Sequence, residues 1–150
     1  MFKHILLPTD GSKLSNDAAE AGVRLARALG ARVTALFAAP PATPIIYKAM
    51  LPVGYATPDA HKKMTQRAAA ACLATVEKAA RAAGVPFESV TVTSDFPADT
   101  IVATAKKHRC DLVFMASHGR RGLKGALLGS QTQKVLADGS VPVLVYRKGR

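Results

Sequence analysis

Short apolar runs alternate with helical patterns along the whole of this 150-residue chain. Such alternation is typical of a parallel sheet that is covered by helices on both faces. Right-handed crossovers and short connections then close the sheet as a doubly wound structure. The fold class is therefore predicted as α/β, a single three-layer doubly wound domain with a five-stranded parallel sheet, Rossmann-like or flavodoxin-like. The five predicted strands are Ile5 to Leu7, Val33 to Ala38, Val90 to Val92, Leu112 to Met115 and Val141 to Tyr146.

Four helices are predicted between these strands. Gly30 and Gly84 are expected to end the first two helices, and Pro97 to lie in the first turn of the third. The length of the chain suits one ordinary domain, so residues 1–150 are predicted to form one domain. The predicted helices run from about Ser15 to Leu29, from about Asp59 to Ala83, from Pro97 to about His108 and from Gln131 to about Ala137.

The segment from Pro40 to Pro58 contains five prolines and one glycine, and it is predicted to be a long loop. Loops of this length are uncommon unless they serve a function, such as a flexible lid over a ligand. A poorly ordered surface excursion fits the composition equally well. Both interpretations remain open at this stage.

The formal net charge of +11 is the unusual feature of the composition. A basic balance indicates a polyanionic partner or simply a well-solvated surface. Aromatic residues make up only 5% of the chain, and no basic run is interleaved with the aromatic side chains that stack on bases. We therefore do not expect nucleic acid to be the partner.

Cellular location is predicted from the apolar runs and the cysteines. No run approaches the roughly 20 apolar residues of a membrane helix, and the first residues do not resemble a secretory signal. Cys72 and Cys110 have no partner at metal-ligand spacing, so we expect packed thiols without chemistry. We predict a cytoplasmic protein without a membrane segment and without a metal site.

The last predicted strand bears a proline at Pro142, which is tolerated mainly at an edge or at the first position of a strand. An exposed edge with Val143, Leu144 and Val145 would invite unwanted pairing unless something covers it. Pairing with the same edge of a second chain is the simplest cover. We predict a homodimer through the segment from Val141 to Tyr146.

Ligands of doubly wound sheets bind beyond the carboxyl ends of the strands, where the strand order reverses. If the first and fourth strands flank that point, Pro8-Thr9-Asp10 and Ser117-His118-Gly119 face each other across one crevice. These are the two most polar strand ends in the chain. The sequence therefore predicts the ligand site there.

The segment from Ala116 to Ser130 joins a predicted strand to a helix and contains four glycines. Glycines let the backbone approach an anion closely, and the following helix start adds a positive dipole end. Arg120, Arg121 and Lys124 supply positive charge, although the last two fit solvated side chains as well. His118 fits a packed loop residue as well as a phosphate donor. The segment is predicted to be a phosphate cradle.

Ser130, with Gln133 three residues later, predicts a capping box at the start of the last helix, with phosphate contact by the hydroxyl as an added role. Two standard nucleotide motifs are absent. There is no G-x-x-x-x-G-K-[ST] and no G-x-G-x-x-G after the first strand, so neither a Walker A site nor a typical dinucleotide site is expected.

With these motifs the sequence resembles the universal stress protein family, from Ile5-Leu6-Leu7-Pro8-Thr9-Asp10-Gly11-Ser12 to Val141-Pro142-Val143-Leu144-Val145. The ATP-binding members carry G-x2-G-x9-G-[ST]. Gly119, nine intervening residues and Gly129-Ser130 match this motif, whereas Ala116 replaces the first glycine. A methyl group there costs little if Ala116 keeps a strand conformation, so we expect binding to persist.

The resemblance implies the strand order 3-2-1-4-5, dimerisation through the last strand, and ATP as ligand, with an accompanying Mg²⁺ left open. It places adenosine against Pro8, Asp10 and Ala38, and the phosphates on Gly119, Gly129, Ser130 and neighbouring donors. The complete predicted nucleotide-binding set is Pro8, Thr9, Asp10, Ala38, Ala116, His118, Gly119, Arg120, Gly129, Ser130, Gln131 and Thr132.

Catalysis of phosphoryl transfer needs groups that hold Mg²⁺ and place a nucleophile. Asp10 alone among the ten carboxylates is clearly placed at the predicted crevice, and one aspartate does not form a catalytic set. No catalytic residues are predicted, and the expected function is a nucleotide-dependent stress sensor or regulator. A weak ATPase and an adaptor that binds a polyanion without nucleotide are the alternatives.

Overall fold

The structure is a computed structural model, and it describes residues 1–41, 57–119 and 128–149. Strands and helices alternate strictly in these parts of the chain, as the pattern of apolar runs predicts. The elements are β1 (His4–Pro8), α1 (Lys13–Leu29), β2 (Arg32–Ala39), α2 (Pro58–Ala83), β3 (Phe87–Thr93), α3 (Pro97–Lys107), β4 (Leu112–Ala116), α4 (Ser130–Asp138) and β5 (Val143–Tyr146).

The five strands form one parallel sheet in the order β3-β2-β1-β4-β5, which confirms the predicted fold class. The chain winds outward from β1 to β3 and then returns to place β4 on the other side of β1. The strand order therefore reverses between β1 and β4. Their carboxyl ends flank the crevice at which such sheets bind ligands.

Alternating side chains of the central strands enter two separate apolar layers. Ile5 and Leu7 of β1 pack with α1 and α2, whereas Leu6 between them packs with α3 and α4. All three are completely buried. The sheet is thus covered on both faces, which explains why its central strands are almost wholly apolar.

Helix α1 packs unusually close to the sheet at Gly22. A β-carbon on Gly22 would overlap the Leu7 side chain and lie 3.3 Å from Cδ1 of Phe114. The absence of a side chain therefore allows the helix to approach β1 and β4 directly. This contact anchors α1 on the strands that flank the crevice.

The first turn of α1 differs from the sequence prediction, which started this helix at about Ser15. Ser12 is the N-cap, and its hydroxyl accepts a hydrogen bond from the Ser15 N–H at 3.2 Å, so the helix begins at Lys13. The cap fixes the start of the helix because the serine hydroxyl satisfies an otherwise unpaired N–H group directly.

Three helix-to-strand connections share one hydrogen-bond pattern. After α1, the Gly30 N–H bonds to Arg27 O and the Ala31 N–H to Ala26 O; the same pattern follows α2 and α3. A left-handed residue closes each connection, with φ of 62° at Gly30 and 66° at Gly84, directly after their helices, and 54° at Arg109, two residues after α3. Arg109 is the one non-glycine residue with positive φ in the described part of the chain.

Strand β5 lies at one edge of the sheet, and it begins at Val143 rather than at the predicted Val141. Pro142 immediately precedes the strand, and its carbonyl accepts the Val113 N–H at 2.9 Å. The proline thus bonds to β4 through its only backbone hydrogen-bonding group. Leu144 is 39% exposed on this edge.

Candidate functional site

The connection between β1 and α1 is held in shape by a small network of hydroxyl groups. Buried Thr9 donates its N–H to Leu36 O at 2.8 Å, and its Oγ1 accepts hydrogen bonds from the Ser15 hydroxyl at 2.9 Å and the Gly11 N–H at 3.2 Å. Gly11 has φ of 75°, which favours glycine. These bonds fix the path of the chain as it leaves β1.

Asp10 sits in the middle of this connection. Its backbone N–H donates to Ser15 Oγ at 3.2 Å, and its Oδ1 accepts the Ser12 N–H at 2.9 Å. Sequence reasoning did not assign Ser12 and Ser15 a role at the site. The sequence feature that could have identified them is the pair of serines three residues apart, which begins two residues after Asp10. Such a pair is typical of a helix N-cap followed by its first turn.

The carboxylate of Asp10 lies directly against Gly119, which follows β4. A β-carbon on Gly119 would overlap Oδ2 of Asp10 and lie 3.5 Å from Cγ. The two polar strand ends therefore face each other across the crevice, as the sequence predicts. Gly119 leaves room for the carboxylate there.

Helix α4 begins at the same edge of the sheet. Gly129 is its N-cap, with φ of −70° and ψ of 153°, and the Gly129 N–H donates to Ser117 O at 2.8 Å. A β-carbon on Gly129 would lie 3.1 Å from Cα of His118 and 3.4 Å from Ser117 O. Gly129 thus packs against the backbone that leaves β4 and brings the start of α4 beside His118.

The predicted capping box of Ser130 and Gln133 is wrong. Ser130 is the first helical residue rather than the N-cap, and Gln133 Nε2 donates to Leu128 O at 2.9 Å. Gly129 takes the cap position because its N–H is held by Ser117 O, a contact between residues twelve apart. The exposed Ser130 hydroxyl has no hydrogen-bond partner among the residues that the structure describes.

The start of α4 consequently lacks a side-chain cap among the described residues. The first N–H groups of a helix have no partner within the helix. Here these are the N–H groups of Ser130, Gln131 and Thr132, since the Gln133 N–H bonds to Gly129 O at 3.0 Å. Within the described residues, three donors and a positive dipole end are thus open to an anion beside His118.

Two predicted ligand residues of this first turn use their side chains elsewhere. Gln131 Oε1 accepts the Ala98 N–H at 3.0 Å, which caps α3 from outside, because the N-cap residue Phe96 makes no side-chain cap. Thr132 is buried and its hydroxyl donates to Ala116 O at 3.1 Å. Their backbone N–H groups, rather than their side chains, are the donors open to a ligand.

The remaining predicted contacts lie at the ends of the central strands. Ala116 is the last residue of β4, paired with Tyr146, and it is buried in the apolar layer that includes residues of α1 and α2. The strand conformation tolerates alanine there. Pro8 pairs with Leu36, so half-buried Ala38 extends past the end of β1 on the neighbouring strand.

His118 is half-buried, with Nδ1 3.2 Å from Ser117 Oγ. The predicted phosphate contact at Arg120 and the basic residues Arg121 and Lys124 lie outside the described residues, as does the segment 42–56, most of the predicted loop.

In the parts described, no cluster of three or more His, Cys, Asp or Glu side chains could hold a metal ion. No described helix has the length and apolar character needed to cross a membrane.

Two titratable groups with shifted pKa values, Cys110 and His4, lie at the amino ends of the strands, opposite this crevice. Burial raises the pKa of the Cys110 thiol to about 11. Burial and the Arg32 charge lower the pKa of His4, whose Nε2 lies 2.7 Å from Thr34 Oγ1. Both effects suit core residues.

Fold and site together define a doubly wound α/β protein in which a helix start and two polar strand ends meet at the topological switch point. Residues 1–147 match the universal stress protein family. The chain is 31% identical over 148 residues to the universal stress protein MJ0531 of Methanocaldococcus jannaschii, which covers 99% of this chain and 84% of that protein. The chain belongs to the universal stress protein family.

Solved structures agree with this membership. The structure of protein MJ0577 of the same archaeon superposes with a TM-score of 0.77 at 27% identity, covering 100% of this chain and 99% of that one. A universal stress protein solved in complex with cAMP superposes with a TM-score of 0.73 at 23% identity, covering 99% of both chains. This second likeness shows the shared fold.

Proposed function

We propose that this protein binds an adenine nucleotide, ATP in the first place, in the crevice between β1 and β4 and acts as a nucleotide-dependent stress sensor or regulator. The observation that carries the proposal is the uncapped start of α4. Its first three N–H groups have no partner among the described residues, and they lie beside Gly129 and His118, at the end of the sheet where Asp10 meets Gly119. A phosphate group supplies the acceptors that these donors lack.

The rest of the nucleotide has a complementary place along the same edge. The Asp10 carboxylate is an acceptor suited to ribose hydroxyls or to adenine N–H groups. Pro8 and Ala38 offer small apolar surfaces on two adjacent strands for a base. We therefore propose adenosine against Pro8, Asp10 and Ala38, and the phosphates on the backbone around Gly119 and on the first turn of α4.

Mg²⁺ would be coordinated by the phosphates of ATP, and we propose no set of protein side chains as its ligands. We propose that the output is a change of conformation or partner rather than turnover, because one carboxylate cannot both place a nucleophile and hold Mg²⁺. The adenine nucleotide is consistent with the fold relative solved with cAMP, although that likeness alone carries only the fold. Cys72 and Cys110 are buried and are not joined in a disulfide, which favours a reducing compartment, and we propose the cytoplasm.

The binding proposal is tested by calorimetry with ATP, ADP and AMP. We expect micromolar affinity for at least one nucleotide, and a loss of at least about tenfold in Gly129→Val, equivalent to about 1.4 kcal/mol. Valine at this position would press on the backbone of His118. Gly149→Val is the matched control, since a side chain there meets nothing within 4 Å. Absence of binding below about 1 mM would refute the proposal.

Hydrolysis is examined in the same preparations with Mg²⁺. If ATP hydrolysis were measurable in the wild type and disappeared in Asp10→Ala, a weak ATPase activity would replace the sensor role as the proposed function. Persistent background turnover in that variant would point to a contaminant. We expect no turnover that depends on Asp10.

We also propose a homodimer through the edge formed by residues 141–146. Half-exposed Val143 and Val145 and exposed Leu144 make this edge apolar, and an unpaired apolar edge strand favours pairing. Light scattering at micromolar concentration should report a dimer that Leu144→Glu converts to monomer. A monomeric wild-type protein would contradict this part of the proposal.

A further inference from the structure

The end of the sheet opposite the crevice carries an exposed group of five cations, here called the amino-end patch: Lys3, Arg32, Lys106, Lys107 and Arg109. It lies where the strands begin and α3 ends. All five residues are described by the structure, and none of them forms an ion pair within the described residues. The nucleotide proposal uses none of them.

Backbone contacts hold the patch together. The Arg32 N–H donates to Lys3 O at 3.0 Å, and the Lys3 N–H donates to Asp111 Oδ2 at 2.8 Å, two residues beyond Arg109. The Arg32 charge also acts on His4 and Cys110, which lie between these segments. Lys3, Arg32 and Arg109 therefore lie on neighbouring segments, and Lys106 and Lys107 end the helix that leads to Arg109.

Neighbouring acids are already engaged. Asp111 accepts the N–H groups of both Lys3 and His4, at 2.8 and 3.0 Å, and Glu88 lies 2.8 Å from His108 Nδ1. They do not pair with the patch side chains. The two carboxylates keep their negative charges, so three of the five positive charges of the patch are in excess and are left for a partner.

Arg109 provides a separate indication that the patch has a use. It occupies, at φ of 54°, the left-handed position that Gly30 and Gly84 occupy in the two equivalent connections. A side chain in this conformation costs about 1–2 kcal/mol, and glycine avoids that cost. The lysines at the end of α3 also complement the helix dipole, but this reason does not apply to Lys3, Arg32 or Arg109.

We infer that the amino-end patch docks on the phosphate backbone of double-stranded nucleic acid. A duplex offers one negative charge per roughly 1.7 Å of axis, a density that suits a cluster of cations. Guanidinium groups such as those of Arg32 and Arg109 bond phosphates in bidentate geometry. The patch has no aromatic side chain, so it can hold a backbone but cannot stack on bases. The low aromatic content, from which we did not expect nucleic acid as a partner, bears on stacking with bases and not on contact with phosphates.

The test compares two triple variants of the full chain with equal net charge. The patch variant is Arg32→Gln, Lys107→Gln and Arg109→Gly; the control variant is Lys62→Gln, Lys63→Gln and Arg67→Gln, which removes three exposed cations from α2. Binding to a labelled 20-base-pair DNA duplex is followed by fluorescence anisotropy. Salt is varied from about 50 to 200 mM, the range over which phosphate contacts weaken strongly.

We expect the wild-type affinity to fall steeply with salt and the slope of log K against log salt to become shallower by about 2.7 in the patch variant, or 0.9 for each lost phosphate contact. The control variant should change the slope by less than about 1. Equal effects of the two variants would overturn the inference, because net charge alone would then explain binding. No binding at the lowest salt would also overturn it, as would tighter binding to phosphatidylserine vesicles or to polyglutamate.

Gly129→Val separates this inference from the nucleotide proposal. This variant alters the opposite end of the sheet, so we expect its duplex affinity to equal that of the wild type. Loss of duplex binding in Gly129→Val would place the polyanion at the crevice and refute the amino-end patch. Circular dichroism of each variant confirms that the chain is folded before binding is compared.

Discussion

Asp10 and Gly119 touch across the switch point of the sheet, so closely that a β-carbon on Gly119 would overlap Oδ2 of Asp10. The contact joins the end of β1 to the end of β4. It constrains both residues, since the carboxylate is also held by the Ser12 N–H.

The first prediction concerns this contact. Gly119→Ala should destabilise the protein by about 1–3 kcal/mol, because the added methyl group must displace the carboxylate or the backbone. The loss should be smaller when Gly119→Ala is combined with Asp10→Ala, which removes the obstacle. A double-mutant cycle of urea unfolding measures the coupling. Additive effects would show that the overlap is relieved by other movements.

The second prediction separates the two possible roles of Gln131. Gln131→Ala removes the hydrogen bond to the Ala98 N–H, and it should cost about 0.5–2 kcal/mol of stability, as the loss of a helix cap does. Nucleotide affinity should stay within about twofold, because the ligand donor is the backbone N–H. Unfolding and calorimetry on the same sample give both values. Lost affinity with unchanged stability would instead make the side chain a ligand.

The third prediction concerns Arg109. Arg109→Gly should stabilise the chain by about 0.5–1 kcal/mol, since relief of about 1–2 kcal/mol of left-handed strain outweighs about 0.4–1 kcal/mol of added freedom in the unfolded chain. Gly30→Ala and Gly84→Ala, at the two equivalent turns, should destabilise it. Thermal unfolding compares the three. If Arg109→Gly destabilises the protein, the arginine side chain contributes more to folding than the strain costs.

The fourth prediction follows from His4, a buried histidine whose Nδ1 has no hydrogen-bond partner in the described part of the chain. Burial comes first among the causes that lower its pKa; Arg32 and His108 add to the effect, whereas Glu88 and Asp111 oppose it. The unfolded chain then binds a proton more readily than the folded one. This contribution to stability is complete above a pH of about 6.5 and is lost as the pH falls through the lowered value.

His4→Gln is the matched variant, because its amide can still bond to Thr34 but does not titrate. Urea midpoints between about pH 8 and pH 5 should fall more steeply for the wild type than for His4→Gln. Parallel curves would mean that protonation of His4 is not coupled to unfolding.

Local pattern was sufficient for much of the fold. Parallel strands buried on both faces read as apolar runs, and glycine ended α1 and α2 where left-handed turns were needed. The meeting of Asp10 and Gly119 followed from topology, since the carboxyl ends of adjacent parallel strands share an edge. These features depend on short-range chemistry or on connectivity, both of which the sequence displays.

The features that escaped prediction depend on contacts between distant residues. Ser130 and Gln133 fit a capping box, but Ser117 O captures the Gly129 N–H and moves the cap back by one residue. Gln131 was expected at the ligand, whereas its side chain reaches Ala98, thirty-three residues away. No local pattern distinguishes these outcomes, because they depend on how α3 and α4 pack.

The two helices that start at the crevice are completed in different ways. Helix α1 is closed by its own Ser12, whereas α4 has no such cap among the described residues. A bound phosphate would accept hydrogen bonds from the first N–H groups of α4, as the Ser12 hydroxyl does for α1. The ligand would therefore serve as the N-cap of α4. Amide hydrogens of residues 130–132 should then exchange rapidly with solvent deuterium in the free protein and slowly in the nucleotide-bound protein.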